Sequence, residues 1–443
     1  MKTAPKPPVK ISDGRRLPRF PIVAIVVLSL AAVWLVSGYR LQTTSAQGQA
    51  LGANTSFRNF EAPQVHPLAL TPDGKHLLAV NTPNASLSVF ELSTGAPVLT
   101  AEIPVGLQPV SVAARTDREV WVVNWLSDSV SIVDLTTGNV RQTIDVGDEP
   151  TDILFAGPGG QRAFVCVSGG GQQTIDGIPL TGANGAVKVF DAANPAAAPQ
   201  VINILAKQPR ALARDASGGQ VFVSIFESGN QTTLVPQPIV AQNGGLPAPQ
   251  PAMRAGLPAA PNTALLVKWN GSAWADETGD TKWDQFVTYT LADIDLIAID
   301  ANAANPAITA QVRGLGTNLG NMTFDAATGK LFLANMDAGS VRRFEPNLRG
   351  RFQTTRVSIL NTNGGAPSLA SVNDLNPHVN FNNPTGTDAE RAQSLALPSD
   401  ITRASDGTVY LAATSSAKVG FLNSAGAVLG RIPVGQGPRS AVG

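Results

Sequence analysis

A stretch of about forty residues recurs along this chain, and that period restricts the possible fold more than any other feature. The clearest copy runs from Pro109 to Glu149. Its first strand is Val110–Ala114, followed by a polar break at Thr116-Asp117-Arg118. Glu119–Asn124 (EVWVVN) is mostly β-branched and aromatic, which suits a strand buried on both faces. Ser129–Asp134 (SVSIVD) alternates polar and apolar, the period-2 mark of a half-buried strand. Thr136-Thr137-Gly138-Asn139 is a turn in which Gly138 takes positive φ at no steric cost. Arg141–Val146 is a more polar outer strand, as an edge requires.

Copies of this unit open at Pro67, Pro109, Pro150, Pro209, Pro398 and Pro438; the uninterrupted gaps are 42, 41 and 40 residues. Second strands align as HLLAVN (from His76), EVWVVN, RAFVCV (from Arg162), QVFVSI (from Gln220), KLFLAN (from Lys330) and TVYLAA (from Thr408). Third strands align as SLSVFEL, SVSIVDL, AVKVFDA, DLIAIDA, SVRRFEP and KVGFLNS. The expected fold is all-β: a β-propeller of four-stranded blades over residues 64–443, with six blades visible. A seventh is begun at the C-terminus, where IPVGQGPRSAVG parallels IPVGLQPVSVA at Ile103–Ala113. A break so early in a blade would leave an open sheet edge, so the chain is expected to be a fragment of a longer protein.

The tetrapeptides LAVN, WVVN and FLAN, each followed by a Ser-Val or Ser-Leu strand and, in the first two copies, a Leu-x-Thr-Gly turn, resemble the YVTN-type β-propeller repeat family. No copy reads Tyr-Val-Thr-Asn, and the third and fourth lack the Asn. The resemblance covers about His66 to Val442 and implies an envelope or surface-layer protein. It also brings in lactonase propellers and propellers joined to a c-type haem domain. The Cys-x-x-Cys-His that such a domain needs is absent from these residues.

Lys2, Lys6, Lys10, Arg15, Arg16 and Arg19 precede the uncharged run Phe20–Tyr39, long enough as a helix to cross a bilayer core. Residues 1–40 are therefore expected to be a signal peptide or an inner-membrane anchor, and 41–63 a polar tether. That places the rest outside the cytoplasm, in the periplasm or at the cell surface. Balanced charge, 32 basic against 32 acidic residues, gives no reason to propose a nucleic-acid partner. The single cysteine, Cys166, lies in a predicted strand and is expected to be a small buried hydrophobe.

Three insertions, at about 169–185, 231–289 and 361–394, are where loop-borne function would sit. The first is a glycine-rich flexible loop. The second opens with an uncharged Pro/Gly/Ala-rich segment, 235–262, with poor prospects of packing. It ends in a tract with Trp269, Trp274 and Trp283, where Leu265–Trp269 and Phe286–Tyr289 are expected to form a hairpin. Asp276, Glu277, Asp280 and Asp284 would supply oxygen ligands to Ca²⁺, although their spacing misses the EF-hand and favours an acidic turn. The tryptophans read as a local core, or as the lining of a ligand slot. The third insertion holds His378, whose lone position favours a hydrogen-bonded loop residue over a metal ligand. His66 and His76 lie too far from it in sequence to define a His cluster. Asp293 and Asp295 precede a third strand, either as a polar strand entry or as acids on a propeller face. Asn81, Asn124 and Asn335 recur at one blade position and are expected to cap turns.

These features favour an exported propeller that binds a protein or an envelope polymer, with no catalytic site and no cofactor evident in the chain itself. The alternatives are the docking half of a c-type haem oxidoreductase, partnered by a haem domain beyond Gly443, and a lactonase-like hydrolase with its site in the central channel.

Overall fold

The β-branched runs at period two do fold as antiparallel strands. The computed structural model describes residues 64–442, apart from 170–173, 176–177, 180–183, 249–255, 257–261, 340–351, 364, 382, 384–385 and 436. The N-terminal segments expected at 1–40 and 41–63 lie outside the described residues. From Leu68 on, six four-strand antiparallel units follow one another. Their innermost strands are Leu68–Leu70, Pro109–Ala114, Asp148–Ala156, Lys207–Arg214, Asn318–Asp325 and Pro398–Arg403. Units four and five are linked into one sheet where Glu227 faces Asn318.

Each unit is curled and too thin to bury its faces alone, so neighbours share a core. Trp121 and Val123 of unit two pack with Ala163 and Val165 of unit three, and Trp121 meets Phe155 edge-on at 5.4 Å. Units three and four share a second such cluster around Phe164, Val223 and Ile297. Inner strands of successive units lie side by side: Lys207–Arg214 touches both Asp148–Ala156 and Asn318–Asp325. The result is propeller-like, with the inner strands converging. Cys166 is fully buried in the second strand of unit three, and burial pushes its thiol pKa up.

The turn glycine at 138 has φ 67°, and nothing lies within 4 Å of the place where its Cβ would be. Gly138→Ala therefore isolates the backbone cost of left-handed geometry. Urea unfolding is expected to show a loss of about 1 kcal/mol with no change in slope.

Several sequence expectations require correction. SVRRFEP, aligned as the third strand of unit five, lies outside the described residues; that strand is Gln353–Asn361, where Thr355, Val357 and Ile359 give the buried alternation. The outer strand is Ser368–Asp374, inside what was read as the third insertion. In the second insertion Leu265–Trp269 pairs with Thr232–Val235 and Trp274–Ala275, not with Phe286–Tyr289. A short 3-10 turn at Asp284–Phe286 occupies the place of the expected partner strand. The start of the Pro-rich segment packs better than its composition suggests: helix Gln237–Gln242 buries Val240 beside Trp283.

Candidate functional site

The innermost strands share a local device. Residues just before the opening prolines of four of them have left-handed backbone: Gln108 (φ 50°), Glu149 (49°), Gln208 (57°) and Leu397 (53°). Directly after the proline each strand carries a register shift. Such bulges re-aim a side chain. The residue two places after the proline is Ser111, Asp152, Ala211 or Asp400, and unit five places Asn321 correspondingly. Two of these residues, Asp152 and Asp400, flank His66 in the segment entering unit one, and Ser111 and Asn321 bond to those two carboxylates.

His66 Nδ1 lies 2.8 Å from Asp152 Oδ2, and its Nε2 lies 3.9 Å from Asp400 Oδ1. Ser111 Oγ donates to Asp152 Oδ1 at 2.5 Å, and the Leu212 amide donates to Oδ2 at 2.7 Å. Asp400 Oδ1 accepts from Asn321 Nδ2 (2.8 Å) and the Ile401 amide (2.9 Å). Its Oδ2 accepts from Ser440 Oγ and from the Ala441 amide at 3.1 Å. Burial opposes charge on His66, but the neighbouring Asp152 carboxylate, followed by Asp400, outweighs it and raises the pKa to about 9. At neutral pH this is an imidazolium tying the entry segment to units three and six.

Arg210 stands beside this cluster, 8% exposed, its guanidinium 4.6 Å from the centre of the Phe226 ring. Nη2 donates to the Gln64 carbonyl at 3.1 Å, while Nε has no acceptor among the described residues. Burial lowers the Arg210 pKa to about 10, so it too is charged at pH 7. A cavity of about 90 Å³ opens here, lined by Arg210, Phe226, Met336, Leu397, Ser399 and Arg439. Both carboxylates of the cluster are already supplied with donors. What the site offers a ligand is therefore a cationic wall next to an apolar one.

The residues singled out from sequence lie elsewhere. Trp283 is fully buried in a small core with Val235, Val240, Leu265 and Val267. Its Nε1 donates to Asp276 Oδ2 at 2.9 Å, while Asp276 Oδ1 takes the Thr278 hydroxyl and the amides of Thr278 and Asp280. Although burial opposes it, these bonds hold the Asp276 pKa below its usual value. Trp269 and Trp274 meet edge-on at 5.7 Å. Asp284 accepts the Trp274 amide, and Asp280 pairs with Lys282 at 3.6 Å. Among the described residues no group of three or more His, Cys, Asp or Glu is placed to hold a metal. His378 Nε2 lies 3.1 Å from the Glu390 carbonyl oxygen. Of the recurrent asparagines, only Asn81 caps a turn, accepting from the Asn84 amide. Asn124 instead braces Ser129 and Ser131, and Asn335 braces Ser358 while accepting from Arg356.

Asp293 and Asp295 separate sharply. Asp293 pairs with Arg313 at 2.9 Å, whereas Asp295 is buried, accepting the Leu315 amide on Oδ2 and leaving Oδ1 without a partner among the described residues. Burial raises the Asp295 pKa to about 6. An acid raised above its unfolded value costs stability once ionised, so the penalty is absent below the unfolded pKa of 3.8 and complete above pH 6. Asp295→Asn keeps an acceptor for Leu315 without the buried charge. Thermal or urea unfolding at pH 8 is expected to show a gain of about 1–2 kcal/mol, vanishing at pH 4.

Fold and site together define an all-β, propeller-like protein whose inner strands close around a charged cluster. The first two comparisons below agree on the fold. Kuenenia stuttgartiensis hydrazine synthase is similar at 17% identity, with 87% of this chain and 92% of that one covered and a TM-score of 0.56. A functionally unknown protein from Desulfotomaculum acetoxidans is 10% identical over 85% and 87% of the two chains, with a TM-score of 0.52. A periplasmic gluconolactonase from Pseudomonas aeruginosa is 12% identical over 84% and 86%, with a TM-score of 0.46. No family model and no curated protein matches the sequence.

Proposed function

We propose that this protein is an exported β-propeller of the YVTN-type repeat class that serves in the cell envelope as a binding scaffold, with its recognition surface at the mouth of the inner strands. The observation that carries the reading is Arg210: a buried guanidinium, short of acceptors, lining an open cavity beside a cluster whose carboxylates already have their donors. The Trp-rich insertion is the weaker surface, because Trp283 and Asp276 are spent on each other. Six blades and the inner strand of a seventh fit the hydrogen bonding. Thr82 Oγ1 donates to the Pro109 carbonyl at 2.7 Å, and Thr414 Oγ1 donates to the Pro438 carbonyl at the same distance. The basic residues ahead of Phe20–Tyr39 support export. Among the described residues no helix is long and apolar enough to cross a membrane.

Two measurements test this. A C-terminal fusion to a reporter that matures only outside the cytoplasm should be active. Adding the soluble envelope fraction to the purified protein should slow amide exchange at 397–401 and 438–442. Unchanged exchange there would remove the mouth as the recognition surface.

A further inference from the structure

The mouth cavity is lined by two cations, Arg210 and Arg439, and by no carboxylate among the described residues. His66 lies outside that lining, in the neighbouring cluster with Asp152 and Asp400, the carboxylates that bear on both His66 and Arg210. Neither guanidinium forms an ion pair with a carboxylate among the described residues. Arg439 acts on Arg210 as a like charge, which Asp152 and Asp400 offset from the cluster side; an anion between the two guanidiniums would be attracted by both. The rest of the lining includes apolar side chains, Phe226, Met336 and Leu397. A strongly hydrated anion would lose its water against those side chains without return. At about 90 Å³ the space is well below the roughly 300–1,000 Å³ of a drug-sized site.

We propose that this cavity binds a carboxylate borne on a short apolar chain, with the carboxylate between Arg210 and Arg439 and the chain against Phe226, Met336 and Leu397. Planar guanidinium donors match a carboxylate in two-pronged geometry. The proposal rests on the reading of the mouth as the recognition surface and adds the class of ligand. The same chemistry is offered by a free short-chain acid and by the C-terminal leucine of a peptide.

The test is calorimetric titration of the full chain at pH 7 with sodium butyrate and, separately, with N-acetyl-Ala-Ala-Leu bearing a free carboxylate. Sodium chloride at matched ionic strength and n-butanol serve as controls. Saturable binding is expected for at least one carboxylate, with Kd on the order of 1 mM for butyrate, and none for butanol. The tighter of the two names the source. Arg439 is exposed, so Arg439→Ala should fold normally and weaken binding by about tenfold or more, with Arg439→Lys in between. Failure of both carboxylates to bind, or binding unchanged in Arg439→Ala, overturns the proposal. If the amide-exchange protection at the mouth persists in that case, only the ligand class falls; if it too is missing, the recognition surface falls with it.

Discussion

Asp152→Ala is expected to cost about 3–5 kcal/mol of folding stability, a large part of what a domain of ordinary stability possesses. Asp152 is fully buried and serves three donors from three places: Ser111 in unit two, the Leu212 amide in unit four and His66 in the entry segment. Removing it leaves a backbone N–H without an acceptor inside the protein, at about 1–3 kcal/mol. It also strands the His66 cation, whose nearest remaining carboxylate is Asp400 at 3.9 Å. The cost exceeds that of one hydrogen bond because the partners stay buried after the acceptor has gone. Asp152→Asn should lose roughly half as much, since its amide oxygen still accepts from Leu212 but no longer balances the imidazolium. Ser111→Ala, which removes a donor and leaves the carboxylate its other partners, should cost about 1 kcal/mol. Urea unfolding followed by tryptophan fluorescence separates the three. A loss below about 1 kcal/mol for Asp152→Ala would show that the cluster is not a structural tie between units.

The blades were legible because they are written locally. Strand alternation, the Thr-Thr-Gly-Asn turn and the opening prolines all lie within one copy and recur in the next, so each copy checks the others. Unit five shows where that reasoning breaks. SVRRFEP and TTRVSIL both carry a strand-like pattern, and only pairing with Lys330–Ala338 selects the second. The central cluster was illegible for a different reason. Its members sit about forty or more residues apart, and no spacing rule joins His66 to Asp152 and Asp400. A signal existed nonetheless. Two of the six prolines used to align the copies are followed two residues later by an aspartate, and two by a serine, at a position that bulging turns inward. The conspicuous tryptophans and acids of the second insertion drew attention instead, and much of that tract proves to be engaged in holding its own small core.

Stability should also fall by about 3 kcal/mol as the pH rises from 6.5 to 9, through His66 alone. The imidazole has a pKa of 6.5 in a free chain and about 9 in the folded protein. Between those values the native state keeps a proton that the unfolded state has released, so raising the pH favours unfolding. The stabilisation is complete below pH 6.5 and gone once the folded pKa is passed. Burial opposes the shift, and the Asp152 carboxylate, assisted by Asp400 and opposed by Arg210, produces it. The window is usefully isolated. Asp295, with its folded pKa of about 6, is largely ionised by about pH 7 and contributes only at the low end of the window, while Arg210, lowered to about 10 by burial, acts above it. Arg210 also acts with the opposite sign, because there the unfolded chain holds the proton longer. The buried Cys166 thiol adds a further loss, but only once the free thiol ionises near pH 9. Urea unfolding at half-unit steps between pH 6 and 9 should therefore trace one titration, and His66→Gln should flatten it while starting from a lower stability at pH 6. A slope that survives in His66→Gln would assign the pH dependence to another group and loosen the case for an imidazolium at the centre of the inner strands.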